Sequence, residues 1–283
     1  MPHLNHGASG SLGTGLATLM LAFTALIYLR GWVSLRANSL TRIPTWRACS
    51  FLVGLFLIWL AVASRFATLD HQLLTVHMVK HLLLMTIAPP LIWLGEPVRC
   101  VTHALPQIWR RTIAAPRQSR GTLTLCWLAA VAALIGWHIP ALFTLAMQSA
   151  GWHFAEQASF LVTGLLFWWP VVEPWPSVWK PEISILLYLF FATLPCDILS
   201  GFLVFCDRVV YPVYSSPSQH FGFTVLGDQQ CAAALMWTCV TVVYLAAAAI
   251  LAVKLLSTQN SRHDDFEHAD LHVRSVPRRL EAF

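Results

Sequence analysis

Seven apolar stretches follow one another along this chain of 283 residues, each about long enough to cross a lipid bilayer. A membrane-spanning helix needs about 20 mostly apolar residues. The stretches are continuously apolar, whereas the strands of a membrane barrel alternate apolar and polar residues, so helices are the better interpretation. The predicted spans are residues 11–29, 48–64, 72–94, 122–139, 153–169, 183–205 and 229–256.

The composition excludes the main soluble classes. Only 11% of the residues are charged and 57% are hydrophobic, whereas a soluble domain carries roughly 25% charged residues. So high an apolar fraction also excludes disorder. There is no internal repeat of the kind found in inverted-repeat transporters, no glycine-rich phosphate motif and no CxxC or CxC pair. We therefore expect an all-α, polytopic membrane helix bundle of seven transmembrane helices.

The basic residues predict the orientation of the bundle. Cytoplasmic loops of membrane proteins carry an excess of Lys and Arg. Of the 18 basic residues, Arg65 and Arg208 fall on one side, Lys80 lies inside the third span, and the rest fall on the other side. Those are Arg30, Arg36, Arg42, Arg47, Arg99, Arg110, Arg111, Arg117, Arg120, Lys180, Lys254, Arg262, Arg274, Arg278 and Arg279. The N-terminus is therefore predicted outside and the C-terminus in the cytoplasm.

This orientation divides the chain into three parts. Residues 1–10 form an extracytoplasmic N-terminus without the basic start of a cleavable signal peptide. Residues 11–256 form the membrane domain, with a short interfacial helix near 98–111 on the cytoplasmic face, where apolar residues mix with arginines. Residues 257–283 form a charged, mobile cytoplasmic tail.

The third span carries an unusual set of ionisable residues. Each such residue at the centre of a spanning helix costs about 2.5–3.5 kcal/mol, so they indicate function. His77 and His81 lie on adjacent helical turns, close enough to share a metal ion, and Asp70 is predicted on the same face. Lys80 lies between the two histidines. The alternative interpretations are histidines hydrogen-bonded between helices and a water-filled cavity.

Further polar residues are predicted in the same outer half of the bundle. His138 ends the fourth span, and His153 and Glu156 share a face in the first turn of the fifth. Asp197 lies in the outer half of the sixth span and Asp228 at the outer start of the seventh. The inner half has nothing comparable, so we expect a metal site near the outer face.

Each of these residues also has a structural interpretation. Asp228 resembles the N-cap of its own helix, and Glu156 could complement a helix dipole. Asp197 could pair with Lys80 or accept hydrogen bonds freed by Pro195. His138 and His153 could be interfacial residues.

Neutral imidazoles with sulfur neighbours suit copper or zinc. Cys206 and Cys231 could pair, bind Cu(I) or remain free thiols. From the residues alone the metal and its oxidation state stay open.

Four segments carry a family resemblance. They are HMVKHLLLMTIAPPLIWLGEP at 77–97, WHIPALF at 137–143, WHFAEQASFLVTGLLFWWPVVEPWP at 152–176, and the 199–237 region with LSGFLVFCDRVVYPVY and GDQQCAAALMW. In this order they resemble the CtaG-like family of multi-span cytochrome c oxidase assembly factors. The resemblance covers about residues 48–256.

The resemblance implies a seven-helix protein of the bacterial inner (plasma) membrane that supports copper-site assembly in haem–copper oxidases. The family's histidines correspond to His77, His81, His138 and His153. Its acidic-glutamine motif corresponds to the segment 228–230. The chain departs from the family at Gln157, where a histidine often follows the glutamate, so it binds metal differently or uses Glu156 instead.

We therefore expect a non-enzymatic assembly factor that binds copper at these four histidines and delivers it to a cytochrome c oxidase subunit. Asp70, Glu156 and Asp197 would fix the imidazole orientations, and these three residues together with Asp228 and Lys80 are the alternative ligands. Partners would be the oxidase subunit, membrane lipid and other copper chaperones, with homo-oligomers open and no nucleic acid.

Two other functions remain open. A haem-binding or electron-transfer protein would use histidines facing each other from two helices as axial ligands. A copper transporter would need polar residues continuing to the cytoplasmic side, which the inner half lacks.

Overall fold

The computed structural model describes residues 6–37, 43–104, 120–172, 183–215, 222 and 224–275, and all regular secondary structure in these ranges is helical. The helices are α1 (His6–Ala37), α2 (Thr45–Ala63), α3 (Leu74–Leu82), α4 (Ala88–Leu94), α5 (Pro97–Ala104), α6 (Arg120–His138), α7 (Pro140–Gln148), α8 (Ala150–Val172), α9 (Ile183–Phe205) and α10 (Val225–Ser275). Two 3-10 turns, Arg65–His71 and Pro212–Tyr214, and a π turn, Leu83–Ile87, complete the described elements.

Within the described ranges, six helical segments are long and apolar enough to cross a membrane. They are Gly13–Ala37, Thr45–Ala63, Leu74–Leu94, Gly121–His138, Ile183–Phe205 and Val225–Ser257. The remaining predicted span, residues 153–169, lies in α8, which has 23 residues but is less apolar. Its polar residues include Glu156 and Gln157, and both are buried inside the protein. The count of seven spans and their orientation therefore stay predictions.

Several boundaries differ from those expected. Helix α1 continues from the predicted end at 29 to Ala37, and α10 continues to Ser275, into the expected mobile tail. Helix α7 was not predicted; Pro140 starts it, a position where the missing N–H of proline costs nothing. Helix α5 covers the first part of the expected interfacial helix, and residues 105–111 lie outside the described ranges.

The third span is interrupted before its first histidine. Asp70 lies on the 3-10 turn, and Leu73 adopts an extended conformation (φ −135°, ψ 127°) before α3 begins at Leu74. Asp70 therefore does not share a helical face with His77 and His81, because the chain breaks between them. The turn nevertheless brings the Asp70 carboxylate to the Lys80 ammonium.

The π turn joins α3 to α4. Because Pro89 has no N–H, the carbonyl of Met85 lacks its usual helical donor. The indole Nε1 of Trp168 on α8 donates to that carbonyl at 3.1 Å. A Cβ on Gly164 would lie 2.8 Å from Met85 Cα, so only glycine lets α8 approach this closely. This contact fixes α8, and with it Glu156, against the third span.

Buried apolar residues form two clusters. One lies among α3, α6, α8, α9 and α10, and the other among α1, α2, α4 and α5 with Phe160 of α8. Large apolar side chains cover the outside: Leu19 is 69% exposed and Phe205 is 79% exposed. The bundle thus encloses ionisable residues and exposes apolar ones, as expected for a protein surrounded by lipid.

Candidate metal centre

A cluster of ionisable side chains is buried where α3, α6 and α8 meet. Its side chains come from three segments that are far apart in sequence, and all but one are nearly inaccessible. The buried members are Asp70, His77, Lys80, His81, His138 and Glu156, with His153 half-buried at the edge. The structure thus brings together all four histidines of the sequence prediction.

Glu156 lies at the centre of the cluster and is 0% exposed. Its Oε1 lies 3.4 Å from His77 Nε2 and 3.5 Å from His81 Nε2, and its Oε2 lies 3.3 Å from His153 Nδ1. Among the described residues neither oxygen has a hydrogen-bond partner, and neither ring nitrogen of His77 has one. Buried polar atoms are rarely left without a hydrogen-bond partner, and each such case calls for an explanation.

The spacing fits a metal ion. A tetrahedral ion about 2.0–2.2 Å from nitrogen and oxygen ligands separates those ligand atoms by roughly 3.3–3.5 Å. The Glu156 contacts to His77 and His153 have this spacing. Ligand atoms of His77, His153 and Glu156 all lie within 4.8 Å of one another. These three side chains can therefore hold one ion together.

His153 is oriented from its other side by Asp70. Its Nε2 lies 2.9 Å from Asp70 Oδ2, and Lys80 forms an ion pair with the same oxygen. Burial alone would raise the pKa of Asp70, but the His153 hydrogen bond and the Lys80 charge lower it below its ordinary value. A carboxylate that holds the outer nitrogen of a ligating imidazole is typical of metal sites.

His81 and His138 face a different environment. Both line a cavity of about 40 Å³ between α3, α6, α8, α9 and α10, and their ring centroids lie 6.4 Å apart. His138 Nδ1 donates to the Leu134 carbonyl at 2.7 Å, which leaves its Nε2 unprotonated when the ring is neutral. That Nε2 has no hydrogen-bond partner in the described part of the chain.

The loop between α9 and α10 covers the cluster, which the sequence did not indicate. The hydroxyl of Tyr211 donates to the His138 carbonyl at 2.9 Å, and that of Tyr214 donates to the Asp70 carbonyl at 2.8 Å. Gln229 holds the loop by accepting from Val210 N at 2.8 Å. The tyrosines lie in one of the segments that carry the family resemblance, and this was their only signal.

Two predicted acidic residues lie outside the Glu156 contacts. Asp228 accepts from Leu74 N at 2.7 Å and from Thr75 N at 3.1 Å, so it caps α3 and not its own helix. Thr224 caps α10 instead, through Gly227 N. Asp197 makes no described ion pair, because Lys80 pairs with Asp70.

The remaining residues singled out by the sequence are Gln157, Cys206 and Cys231. The amide of Gln157, which stands where the family often has histidine, contacts His153 Nε2. Cys206 and Cys231 are both free thiols and form no disulfide. A second possible ligand group, Asp70 with His71 and His153, is open to solvent because the His71 side chain is 52% exposed.

Comparison with known proteins identifies the family of this chain. The model of the cytochrome c oxidase caa3 assembly factor family matches residues 26–258, most of the chain. No curated protein and no solved structure matches it. The matched region contains every residue of the buried cluster, so the chain belongs to the cytochrome c oxidase caa3 assembly factor family.

Proposed function

We propose that this chain is a non-enzymatic assembly factor that binds a copper ion between His77, His153 and Glu156 and delivers it to a cytochrome c oxidase subunit. Its family supports the assembly role. Imidazole is a ligand that suits copper, as it suits zinc, iron and nickel. The metal is cargo here, to be passed on and not used for chemistry.

One observation carries the proposal. Glu156 is fully buried, and the basic side chains within 4 Å of its oxygens in the described structure are all histidines, with no Lys or Arg among them. A buried carboxylate without a cation is costly, and neutral imidazoles do not remove that cost. Asp70 does not share the problem, because Lys80 neutralises it. A metal ion at Glu156 would supply the missing positive charge and satisfy the unpaired ring nitrogens.

The proposal places the ion near the outer face of a bacterial inner membrane. With seven spans, an external N-terminus and a cytoplasmic C-terminus, α8 begins outside, so His153 and Glu156 lie one or two turns into the bilayer. Such a depth brings the ion close to the face where an oxidase subunit or another copper chaperone would receive it. A site with three protein ligands also keeps a position open for the incoming ligand.

Metal binding by the full chain in detergent tests the proposal. Wild-type protein stripped of metal should bind Co(II) and Cu(II), and a variant with His77→Ala and His153→Ala should not. His103→Ala, at an exposed position of α5, is the matched control and should bind as wild type does. Membranes of cells that carry only the double variant should have less oxidase activity. No metal uptake by wild type, or unchanged uptake and oxidase activity in the double variant, would refute the proposal.

Haem binding is the second candidate, because His81 and His138, which belong to different helices, line one cavity. Their cavity of about 40 Å³ is, however, far smaller than the roughly 300–1,000 Å³ of pockets for cofactor-sized molecules. The small volume favours an ion. An absorbance spectrum with a haem band in protein from haem-replete cells would reverse this preference.

A further inference from the structure

The cavity beside His81 and His138 has soft donor atoms on its other walls. Three thioethers and a thiol line it together with the two imidazoles: Met78, Met85, Met236, Cys196, His81 and His138. Met78, Cys196 and Met236 are each at most 4% exposed. These residues come from α3, the π turn, α6, α9 and α10, so only the fold brings them together.

The imidazoles supply unpaired nitrogen atoms to this cavity. His138 Nε2 carries a free lone pair, because Nδ1–H of a neutral ring is held by the Leu134 carbonyl. Neither ring nitrogen of His81 has a hydrogen-bond partner among the described residues. The two residues are 6% and 7% exposed. The 6.4 Å between the ring centroids leaves room for an ion with metal–nitrogen bonds of about 2.0–2.1 Å on each side.

The absence of acidic side chains from the described lining favours a monovalent ion over a divalent one. No Asp, Glu, Lys or Arg is among the described residues that line the cavity. A divalent ion among neutral ligands would bring two uncompensated charges into an apolar interior, which is far more costly than one. Thioether, thiol and imidazole donors are those that Cu(I) prefers.

We propose that this cavity is a second metal site, which binds a soft monovalent ion of the Cu(I) class, separate from the site at Glu156. The inference rests on the proposed copper function and specifies the oxidation state of part of the cargo. His77, His153 and Glu156 form a group that can hold one ion, and that group includes neither His81 nor His138. His81 lies between the two sites, 3.5 Å from Glu156 Oε1.

Two metal probes distinguish the sites. Ag(I) has the charge and softness of Cu(I) and does not change oxidation state, so it reports on the cavity; Co(II) prefers the Glu156 site. In the full chain in detergent, Met78→Leu with Met236→Leu should weaken Ag(I) binding by about tenfold or more and leave Co(II) binding unchanged. Leucine nearly conserves the volume of methionine, so the fold should tolerate both changes. Met20→Leu, at an exposed position on α1, is the control.

The outcomes separate this inference from the proposed function. Wild-type affinity for Ag(I) in the methionine variant would overturn the cavity site, whatever Co(II) does. Loss of both Ag(I) and Co(II) in Glu156→Gln would indicate a single shared site and also overturn it, while the proposed function would stand. Loss of Co(II) alone in Glu156→Gln, with Ag(I) retained, supports two sites. If wild type binds Ag(I) but neither Co(II) nor Cu(II), the proposed function fails and the cavity site does not.

Discussion

Two glutamates with low exposure, Glu96 and Glu156, have opposite surroundings. Glu96 follows α4, and its two oxygens accept hydrogen bonds from Arg47 and Arg99, the latter at 2.6 Å. Glu156 has imidazoles around it, and neither of its oxygens has a hydrogen-bond partner in the described part of the chain. The first carboxylate is satisfied by two arginines, whereas the second has neither a hydrogen-bond donor nor a Lys or Arg partner among the described residues, which is the contrast on which the proposed metal site depends.

The backbone around Glu96 is also held in place by contacts within the protein. Glu96 adopts φ 49°, a left-handed conformation that is unfavourable for residues other than glycine. The hydroxyl of Tyr28 donates to the carbonyl of Gly95 at 2.8 Å, and a Cβ on Gly95 would lie 2.6 Å from Phe51 Cβ. Packing and hydrogen bonds therefore hold this turn, so a role in fold stability explains Glu96.

The largest effect is expected from Glu156→Gln. The substitution keeps the shape but removes the charge that neutralises a bound cation. Affinity for Co(II) should fall by about 100-fold or more, because losing a ligand costs at least as much as losing a residue that only orients one, which costs about 10–100-fold. The metal-free variant should unfold at no lower temperature than metal-free wild type, because a buried uncompensated charge is removed. Titration and thermal unfolding in detergent measure both quantities.

Glu96→Gln is the matched control for this experiment, since it makes the same chemical change at a carboxylate whose two oxygens accept hydrogen bonds from arginines. It should bind Co(II) as wild type does. The comparison fails if Glu96→Gln weakens metal binding as much as Glu156→Gln. It also fails if Glu156→Gln keeps full affinity and merely unfolds earlier.

The next effect concerns the residue that supports His153. Asp70→Asn removes the charge that holds the His153 Nε2–H and pairs with Lys80. Affinity for Co(II) should fall by about 10–100-fold, because carboxylates behind metal-bound histidines contribute that much. Asp197→Asn, outside the cluster contacts, is the control and should leave affinity unchanged. Equal losses in the two variants would mean that the effect is one of overall charge and not of His153 orientation.

The sequence predicted much of the fold and which histidines would meet. Apolar runs of about 20 residues predict spanning helices because a helix of that length crosses the hydrocarbon layer, and the described part of the chain contains six such segments. The scarcity of ionisable residues in these runs singled out His77, His81, His138 and His153, and the structure places all four in one region.

The contacts that each residue makes within the cluster could not be predicted from the sequence. Helical periodicity shows which residues of one helix share a face, but not which helices are neighbours. Glu156 was expected either to orient imidazoles or to replace a missing histidine ligand, and periodicity did not indicate that it lies at the centre of three imidazoles. The break at Leu73 likewise depends on contacts with distant segments, so a periodic pattern extended wrongly to Asp70.

Asp228 is an acidic residue near the cluster to which we assign a structural role and not the metal-binding role proposed for Glu156. It caps α3 from 154 positions away in sequence, which no local capping rule predicts. Asp228→Ala should lower the free energy of unfolding by about 1–3 kcal/mol, since it leaves two N–H groups of α3 unsatisfied. Metal affinity should change less than in Asp70→Asn. Thermal unfolding and Co(II) titration of the same samples check both expectations.

Thr224→Ala is the control for Asp228, because Thr224 caps α10 at an exposed position. It should cost about 0.5–1 kcal/mol, near the lower end for N-caps. An Asp228→Ala variant with unchanged stability and no Co(II) binding would place Asp228 with the ligands.

The smallest effect is expected in the stability of Glu96→Gln. The Arg47 and Arg99 side chains are 30% and 34% exposed, so solvent screens their attraction to Glu96. The free energy of unfolding should fall by only about 0.5–1.5 kcal/mol, less than a fully buried pair would lose. Because ions screen exposed charges, the difference from wild type should shrink as salt is raised to about 1 M. A larger, salt-independent loss would show that Glu96 behaves as a buried charge like Glu156, and exposure would then not explain the contrast between the two glutamates.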